Sequence, residues 1–265
     1  MTWRSNIASF GSDRTLTNAG TMATKAVPVG KYRTCNWEWG ANVSFWQDCW
    51  QRLAVLWWVK AVGTMGFLLL FFTVYLYLLH HVQFPVTLMP VTIVDYWIGI
   101  DPAWLPCYVS LWVYVSLPPA LMRNFSELLF YGQQMAWVCI AGLLVFWLYP
   151  TAVPQGAFDW SAFHGVARLK TLDAAGNAFP SLHVATAVFS ALWLDFLLRK
   201  MRAGTFWRLL NVVWCVGIVY STMAIKQHVL WDVLGGLVLG GSLGVWSLRR
   251  FLRWGAVMNE QIVGA

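Results

Sequence analysis

Three ionisable side chains lie within seven residues of one another, between two long apolar segments near the end of the chain. They are Lys226, His228 and Asp232, in the stretch from Ser221 to Asp232. Ionisable groups beside hydrocarbon are costly, so such a cluster indicates a functional site. If the chain is helical from His228 on, Asp232 lies one turn later on the same face and can orient the imidazole. A second histidine, His183, stands at the start of another apolar segment.

These residue types suit phosphoryl transfer. A neutral imidazole is a competent nucleophile toward phosphorus when a carboxylate holds its other nitrogen, which favours His228 with Asp232. Lys226 can stabilise the charge on phosphoryl oxygens as the leaving group departs. The ordinary histidine pKa of about 6.5 suits His183 to donate a proton to the leaving oxygen. Ser181 is predicted to cap a helix that starts just before His183, and a helix N-terminus favours bound phosphate.

Other interpretations of the same residues stay open. A histidine at a membrane interface can be a hydrogen-bonded structural residue, and Lys226 can extend to the surface. Asp232 can simply cap the helix that follows it, because acids favour a first turn. Two histidines and one aspartate can bind a metal, although no His-Glu-x-x-His motif is present. We predict no metal site and no cofactor.

The composition is that of an integral membrane protein. Of the 265 residues, 59% are hydrophobic and 11% charged, whereas about a quarter of the residues in a soluble domain are charged. The 19 tryptophans fit the same interpretation, because tryptophan collects at membrane interfaces. Topology can explain the net charge of +7, so we expect no nucleic-acid partner.

We predict an all-α integral membrane protein built as a six-transmembrane-helix bundle, because a span needs about 20 apolar residues. Lys60, inside the first span, is expected to extend to the interface, and the second span to kink at Pro118-Pro119. Glycines every four residues in the last span predict close packing against a neighbouring helix; they are Gly236, Gly240 and Gly244. The predicted spans are 53–79, 103–122, 131–149, 183–198, 206–225 and 229–248.

The domain organisation follows from these spans. Residues 1–52 are predicted to form a short polar N-terminal arm, cytoplasmic and partly disordered or interfacial. The six-helix membrane domain is expected at 53–255, with motifs at 180–183 and 221–232, followed by a short tail at 256–265.

The basic residues predict the orientation. With six spans, fourteen of the eighteen Lys and Arg residues fall on one side of the membrane, and all five histidines fall on the other. The positive-inside rule then places both termini in the cytoplasm. We predict a multi-pass protein of a bacterial inner membrane whose active site faces the periplasm.

The motif residues resemble those of the type 2 phosphatidic acid phosphatase superfamily. The family pattern is Pro-Ser-Gly-His followed by Ser-Arg-x5-His-x3-Asp. This chain has Pro-Ser-Leu-His at 180–183 and Ser-x6-His-x3-Asp at 221–232. Leu182 stands in place of the family glycine and Thr222 in place of the arginine, and the family's Lys-x6-Arg-Pro motif is absent. The Pro-Ser-Leu-His and Lys-Gln-His variants look more like the branch that contains the inositol phosphorylceramide synthases.

The resemblance implies a metal-independent enzyme with a six-helix membrane core. It assigns His228 as the nucleophile, Asp232 as its partner, and His183 as the general acid and then the general base. The implied phosphate-binding residues are Ser181, Ser221 and Lys226, with Arg168 and Lys170 as candidates to replace the missing first motif.

We therefore predict a lipid phosphatase that hydrolyses a lipid phosphate or diphosphate at the non-cytoplasmic surface through a phosphohistidine. One alternative is a phosphotransferase that moves a phosphoryl-bearing head group to an acceptor alcohol. Another is a non-enzymatic transporter, although we find no internal repeat of the kind that many transporters show. The expected partners are the lipid substrate, a possible alcohol acceptor and the membrane lipids.

Overall fold

The computed structural model of the protein describes residues 44–154 and 177–263, and nearly all of the secondary structure in these ranges is helical. Strands β1 (Thr87–Leu88) and β2 (Thr151–Ala152) are two residues each and pair in parallel. A short 3-10 helix covers Pro102–Trp104. The α-helices are α1 (Phe45–Ala54), α2 (Trp57–His80), α3 (Ile93–Trp97), α4 (Leu105–Val109), α5 (Leu111–Ala120), α6 (Phe125–Leu148), α7 (Leu182–Lys200), α8 (Thr205–Ala224) and α9 (Leu230–Val263).

Five of these helices are long and apolar enough to cross a membrane, which supports the prediction of a helical membrane protein. They are α2, α6, α7, α8 and the part of α9 from Leu230 to Gly255. Three of the predicted spans agree with α7, α8 and α2 to within a few residues at each end. The other two long helices extend beyond the prediction: α6 begins at Phe125, and α9 continues through the expected tail to Val263.

The predicted span at 103–122 is divided into three consecutive pieces, the 3-10 helix, α4 and α5. Helices α4 and α5 meet at Ser110, whose N–H bonds the Pro106 carbonyl and whose carbonyl accepts the Tyr114 N–H, both at 2.9 Å. Pro118 and Pro119 lie within the last turn of α5, and the expected kink there stays a prediction. No piece alone is long enough to span, so the six-span count stays a prediction.

Helix α7 lies at the centre of the fold and packs against α5, α6, α8 and α9. Its side chains Phe189 and Trp193 are completely buried. The glycine spacing in α9 correctly predicts close contact with α7. A Cβ atom on Gly236 would lie 2.5 Å from the Ser181 carbonyl oxygen, and one on Gly240 would lie 2.1 Å from that of Ala185. Only glycine allows the two backbones to approach so closely.

The expectation for Lys60 was wrong, because its side chain is buried rather than extended to the interface. Its ammonium donates to the backbone carbonyls of Arg52 at 2.5 Å and Ala120 at 2.8 Å. These carbonyls lie at the C-terminal ends of α1 and α5, where the last turns lack intrahelical donors and attract a cation. Arg52 is also buried and donates to the Leu121 carbonyl at 3.0 Å. The two cations therefore tie three helix ends together.

Candidate active site

The first motif is held where α6 ends and α7 begins. Thr151, directly after α6, accepts the Ala178 N–H on its backbone oxygen at 3.0 Å and the Phe179 N–H on its hydroxyl at 2.7 Å. Ser181 then caps α7 as predicted: its hydroxyl oxygen accepts the Val184 N–H at 3.3 Å, and the residue is completely buried. These bonds fix the backbone that leads into His183.

His183 lies in the first turn of α7 with its ring against aromatic side chains. The Tyr108 ring is nearly parallel to it, with centroids 3.9 Å apart, and Trp112 lies edge-on at 6.2 Å. The Nε2 atom is 3.0 Å from the Tyr108 carbonyl oxygen. Because a carbonyl only accepts, Nε2 carries a hydrogen, and the lone pair of the neutral ring lies on Nδ1. The hydrogen bond to Tyr108 thus fixes the orientation of the His183 ring.

The second motif spans the turn between α8 and α9. The backbone oxygen of Thr222 accepts the N–H groups of both Gln227 and His228, at 3.0 and 3.1 Å. Lys226 adopts the left-handed conformation, with φ 56°. Helix α9 begins at Leu230, so His228 lies in the turn rather than in the helix. Its side chain is 12% exposed.

Asp232, in the first turn of α9, caps this helix and also lies close to His228. Its Oδ2 accepts the Val229 N–H at 3.0 Å, which caps the helix, and also lies 3.5 Å from His228 Nδ1. Within the described part of the chain, neither Oδ1 of Asp232 nor Nδ1 of His228 has a hydrogen-bond partner, and both atoms are buried. Unpartnered buried polar atoms are rare and need an explanation.

The two motifs meet at the start of α9. The Ser181 N–H donates to the backbone oxygen of Asp232 at 3.0 Å. Gly235 lies against the Phe179 ring, as Gly236 lies against the Ser181 carbonyl. The fold therefore brings together two motifs, at 180–183 and 221–232, that are separated by 37 residues in the sequence.

The predicted phosphate-binding side chains differ in what they contact. Lys226 donates from Nζ to the backbone oxygens of Asp95 at 2.6 Å and Ile98 at 2.5 Å. Burial lowers the pKa of Lys226, and the nearby Asp95 carboxylate opposes this shift. Ser221 is completely buried and donates to the Ile218 carbonyl at 2.6 Å. Arg168 and Lys170 lie outside the described residues.

The two substitutions within the family motifs, Leu182 and Thr222, are both buried. The Leu182 side chain is buried against α6, where a Cβ atom on Gly142 would lie 2.4 Å from Leu182 Cδ2. A leucine at 182 is thus accommodated by a glycine on the facing helix. Thr222 is buried and donates from Oγ1 to the Val219 carbonyl at 2.8 Å, so no cation stands in place of the family arginine at this position.

Two features of the site were not predicted. The Tyr108 ring over His183 comes from a segment without a recognisable motif. Asp95 accepts the Leu230 N–H at 2.8 Å from a position 135 residues away. The signal that was available for Asp95 is an acidic residue in an otherwise apolar stretch. In the described part of the chain, no group of three His, Cys, Asp or Glu side chains is arranged to hold a metal ion.

Comparison with known families agrees with this geometry. The model of the PAP2 superfamily matches residues 145–255, the segment that carries both motifs. This match confirms the resemblance to the type 2 phosphatidic acid phosphatase superfamily. The match suggests a membrane-bound lipid phosphatase or phosphotransferase. The match does not distinguish branches, so the likeness to inositol phosphorylceramide synthases stays a prediction. No curated protein and no solved structure matches the chain.

Proposed function

We propose that the protein is a metal-independent membrane phosphatase that hydrolyses a lipid phosphate or diphosphate through a phosphohistidine at His228. One observation carries this proposal. His228 Nδ1 and Asp232 Oδ1 are buried without partners, beside the point where the Ser181 N–H meets the Asp232 carbonyl. A carboxylate next to an imidazole at this position is the arrangement that activates a histidine nucleophile.

In the first step, Nε2 of His228 attacks the phosphorus of the substrate. The P–N bond forms and the P–O bond to the lipid breaks, while Asp232 stabilises the positive charge on the ring through Nδ1–H. His183, protonated on Nδ1, gives that proton to the departing lipid oxygen. The separation of 3.5 Å between His228 and Asp232 fits a resting site, because catalytic hydrogen bonds often tighten only when substrate binds.

In the second step, neutral His183 accepts a proton from water on Nδ1. The water oxygen attacks the phosphorus, the P–N bond breaks, and inorganic phosphate is released with His228 restored. The hydrogen bond from His183 Nε2 to the Tyr108 carbonyl holds the ring in one orientation throughout. The same nitrogen, Nδ1, can therefore serve as acid in the first step and as base in the second.

The N-terminus of α7 is the proposed binding site for the phosphoryl oxygens. The first N–H groups of a helix have no intrahelical acceptor, and the helix dipole favours an anion there. Ser181 satisfies only one of them, the Val184 N–H. The N–H groups of Leu182 and His183 precede it and point the same way along the axis. A phosphate held there would lie next to the proposed acid, His183.

We further propose six membrane passes with the site on the non-cytoplasmic side. The divided segment 102–120 connects the two ends of the bundle: the Asp101 N–H bonds the Ala224 carbonyl beside the site, and Lys60 bonds the Ala120 carbonyl at the other end. At that other end the basic side chains form ion pairs, Arg123 with Asp48 at 2.6 Å among them. This end carries the cationic excess that marks the cytoplasmic side of a membrane protein.

The test is turnover of purified protein on phosphatidic acid and on an isoprenoid diphosphate in mixed micelles. We expect release of phosphate by the wild type and none by His228→Ala. His80→Ala is the matched control, because His80 is exposed and bonds only the Leu76 carbonyl within its own helix in the described structure. Quenching in alkaline detergent after incubation with substrate radiolabelled on the phosphorus should trap a label on wild-type protein that is stable to base and lost in acid. Normal turnover by His228→Ala would refute the mechanism, and ligand uptake without turnover would favour a transporter.

Transfer to an alcohol is the second candidate, and the aromatic surroundings of His183 favour it. Tyr108 and Trp112 cover the proposed base, and apolar walls can exclude water in favour of a lipid hydroxyl. In this reaction the first step breaks the P–O bond to the diacylglycerol of a phospholipid, so the head group stays on the phosphorus that is bound to His228. In the second step an alcohol oxygen replaces water as the attacking group, and the P–N bond breaks. Incubation with a phospholipid and a hydroxyl-bearing lipid distinguishes the two: a new phosphodiester lipid indicates transfer, and a released head-group phosphate indicates hydrolysis.

A further inference from the structure

Asp95 lies at the centre of a set of hydrogen bonds that joins α3 to the turn carrying His228. Its side chain is buried, and Oδ2 accepts both the N–H and the hydroxyl of Thr92 at 2.7 Å. The other oxygen, Oδ1, accepts the N–H of Leu230 at 2.8 Å. Leu230 is the first residue of α9, two positions after His228. One carboxylate thus caps α3 and the start of α9 together.

Lys226, two positions before His228, makes a second connection between this turn and α3. Its ammonium donates to the backbone oxygens of Asp95 and Ile98, and Ile98 is the residue that ends α3. The turn is therefore attached to α3 both before and after His228. A negative charge at the N-terminus of α9 and a cation at the C-terminus of α3 are each favourable for the helix dipole concerned.

The turn is irregular, although the backbone N–H groups of residues 225–229 are each hydrogen-bonded. Residues 225–229 form neither helix nor strand, and Lys226 is held in the left-handed conformation with φ 56°, which a residue with a side chain seldom adopts. A histidine nucleophile on a loosely held turn would sample positions away from the phosphorus. A displacement of about 1 Å in a reacting group can cost about 100-fold in rate.

We propose that Asp95 and Lys226 form a positioning clamp that holds His228 in line with the phosphate site at the start of α7. Neither residue contacts the substrate in this role. The inference rests on the proposed function, and it reassigns Lys226 from a phosphate ligand to a positioning residue. It adds Asp95, which precedes both motifs by at least 85 residues, to the residues that the reaction requires.

The primary test compares Asp95→Ala with a matched acidic control from the same segment. Asp101 accepts the Ala103 N–H at 3.0 Å and caps only the short 3-10 helix. With phosphatidic acid in mixed micelles, Asp95→Ala should lower kcat by about 10- to 100-fold while KM changes by less than about twofold. Asp101→Ala should keep both values within about twofold of wild type. Asp95→Asn should recover part of the loss, since its amide oxygen can still accept the Leu230 N–H.

A double-mutant cycle then tests whether Asp95 and Lys226 act as one unit. If they do, Asp95→Ala combined with Lys226→Met should be about as slow as the slower single variant. Inhibition by inorganic phosphate should be unchanged in Lys226→Met, because a positioning residue does not bind the anion. Should Asp95→Ala fail to fold, Lys226→Met alone decides, and folded Lys226→Met protein with wild-type kcat overturns the clamp.

The outcomes separate this inference from the proposed function. Normal turnover by His228→Ala would remove the nucleophile and the clamp with it. An inactive His228→Ala together with wild-type kcat in Asp95→Ala overturns the clamp alone. Losses in kcat that multiply independently in the double-mutant cycle would also overturn the clamp. Weaker inhibition by phosphate with unchanged kcat in Lys226→Met would overturn it as well, because that pattern indicates a direct phosphate ligand.

Discussion

Replacing Gly240 by alanine tests the helix packing that brings the two motifs together. Gly240 lies where the backbone of α9 comes closest to that of α7, and a Cβ atom there would lie 2.1 Å from the Ala185 carbonyl oxygen. The obstacle is backbone and cannot rotate away. The two helices must therefore move apart by about 1 Å before a methyl group fits.

Two opposing effects determine how much Gly240→Ala changes the free energy of unfolding. Overpacking of this kind costs about 1–3 kcal/mol, whereas alanine in place of glycine inside a helix is favourable by about 1 kcal/mol. Gly241 separates the two effects, because nothing lies within 4 Å of its Cβ position. Gly241→Ala gains the helix propensity without the clash. The difference in stability between the two variants should therefore equal the clash alone, about 1–3 kcal/mol.

The displacement of α9 from α7 should also change the geometry of the candidate active site. Gly240 lies eight residues after Asp232, about 12 Å along the helix, so it contacts no proposed catalytic group. Moving α9 away from α7 weakens the bond between the Ser181 N–H and the Asp232 carbonyl. We expect kcat on phosphatidic acid to fall by up to about 100-fold.

Thermal unfolding in detergent, followed by circular dichroism, measures the loss of stability, and phosphate release measures the fall in kcat. Gly240→Ala should melt about 5 °C below Gly241→Ala. Equal melting temperatures and equal turnover in the two variants would refute the reasoning that this contact controls the site.

Other outcomes follow from single contacts. Asp232→Asn should lower kcat by about 100-fold or more, because an amide cannot stabilise the His228 imidazolium; an unchanged rate would leave Asp232 as a helix cap only. Leu182→Ala should cost about 2–5 kcal/mol of stability, since the leucine fills the space over Gly142; wild-type stability would contradict that packing. Chelation with EDTA should not change turnover, whereas a loss that added metal restores would indicate a metal site. A reporter at the C-terminus should be cytoplasmic and one inserted after Arg168 should lie on the opposite side; two reporters on one side would contradict the topology.

The local part of the site was predictable because spacing along the chain limits distance. His228 and Asp232 are four positions apart, which places them within reach of each other in a helical turn, and His228 Nδ1 lies 3.5 Å from Asp232 Oδ2. The start of α9 was less predictable. The helix begins two residues after His228 because the Thr222 carbonyl accepts two N–H groups from the turn and Lys226 adopts the left-handed backbone conformation. Such a turn depends on bonds that no short pattern specifies.

The contacts that support the site come from distant segments, and spacing cannot reveal them. Tyr108 reaches His183 from 75 residues away. Leu182 is acceptable in place of glycine because Gly142 on the facing helix provides the room. The motif alone suggests that the Leu182 side chain would obstruct the start of α7, whereas the packed structure shows that this side chain lies against Gly142.

The buried cations at the far end of the bundle also constrain how the chain is assembled during synthesis. Lys60 finds an acceptor on a residue 60 positions later, and Arg52 finds one 69 positions later. When α2 leaves the ribosome, Lys60 can already bond the Arg52 carbonyl and Arg52 the Asp48 carboxylate, but the acceptors on Ala120 and Leu121 have not yet been made. Helix α2 therefore reaches its final state only after residue 121 has emerged.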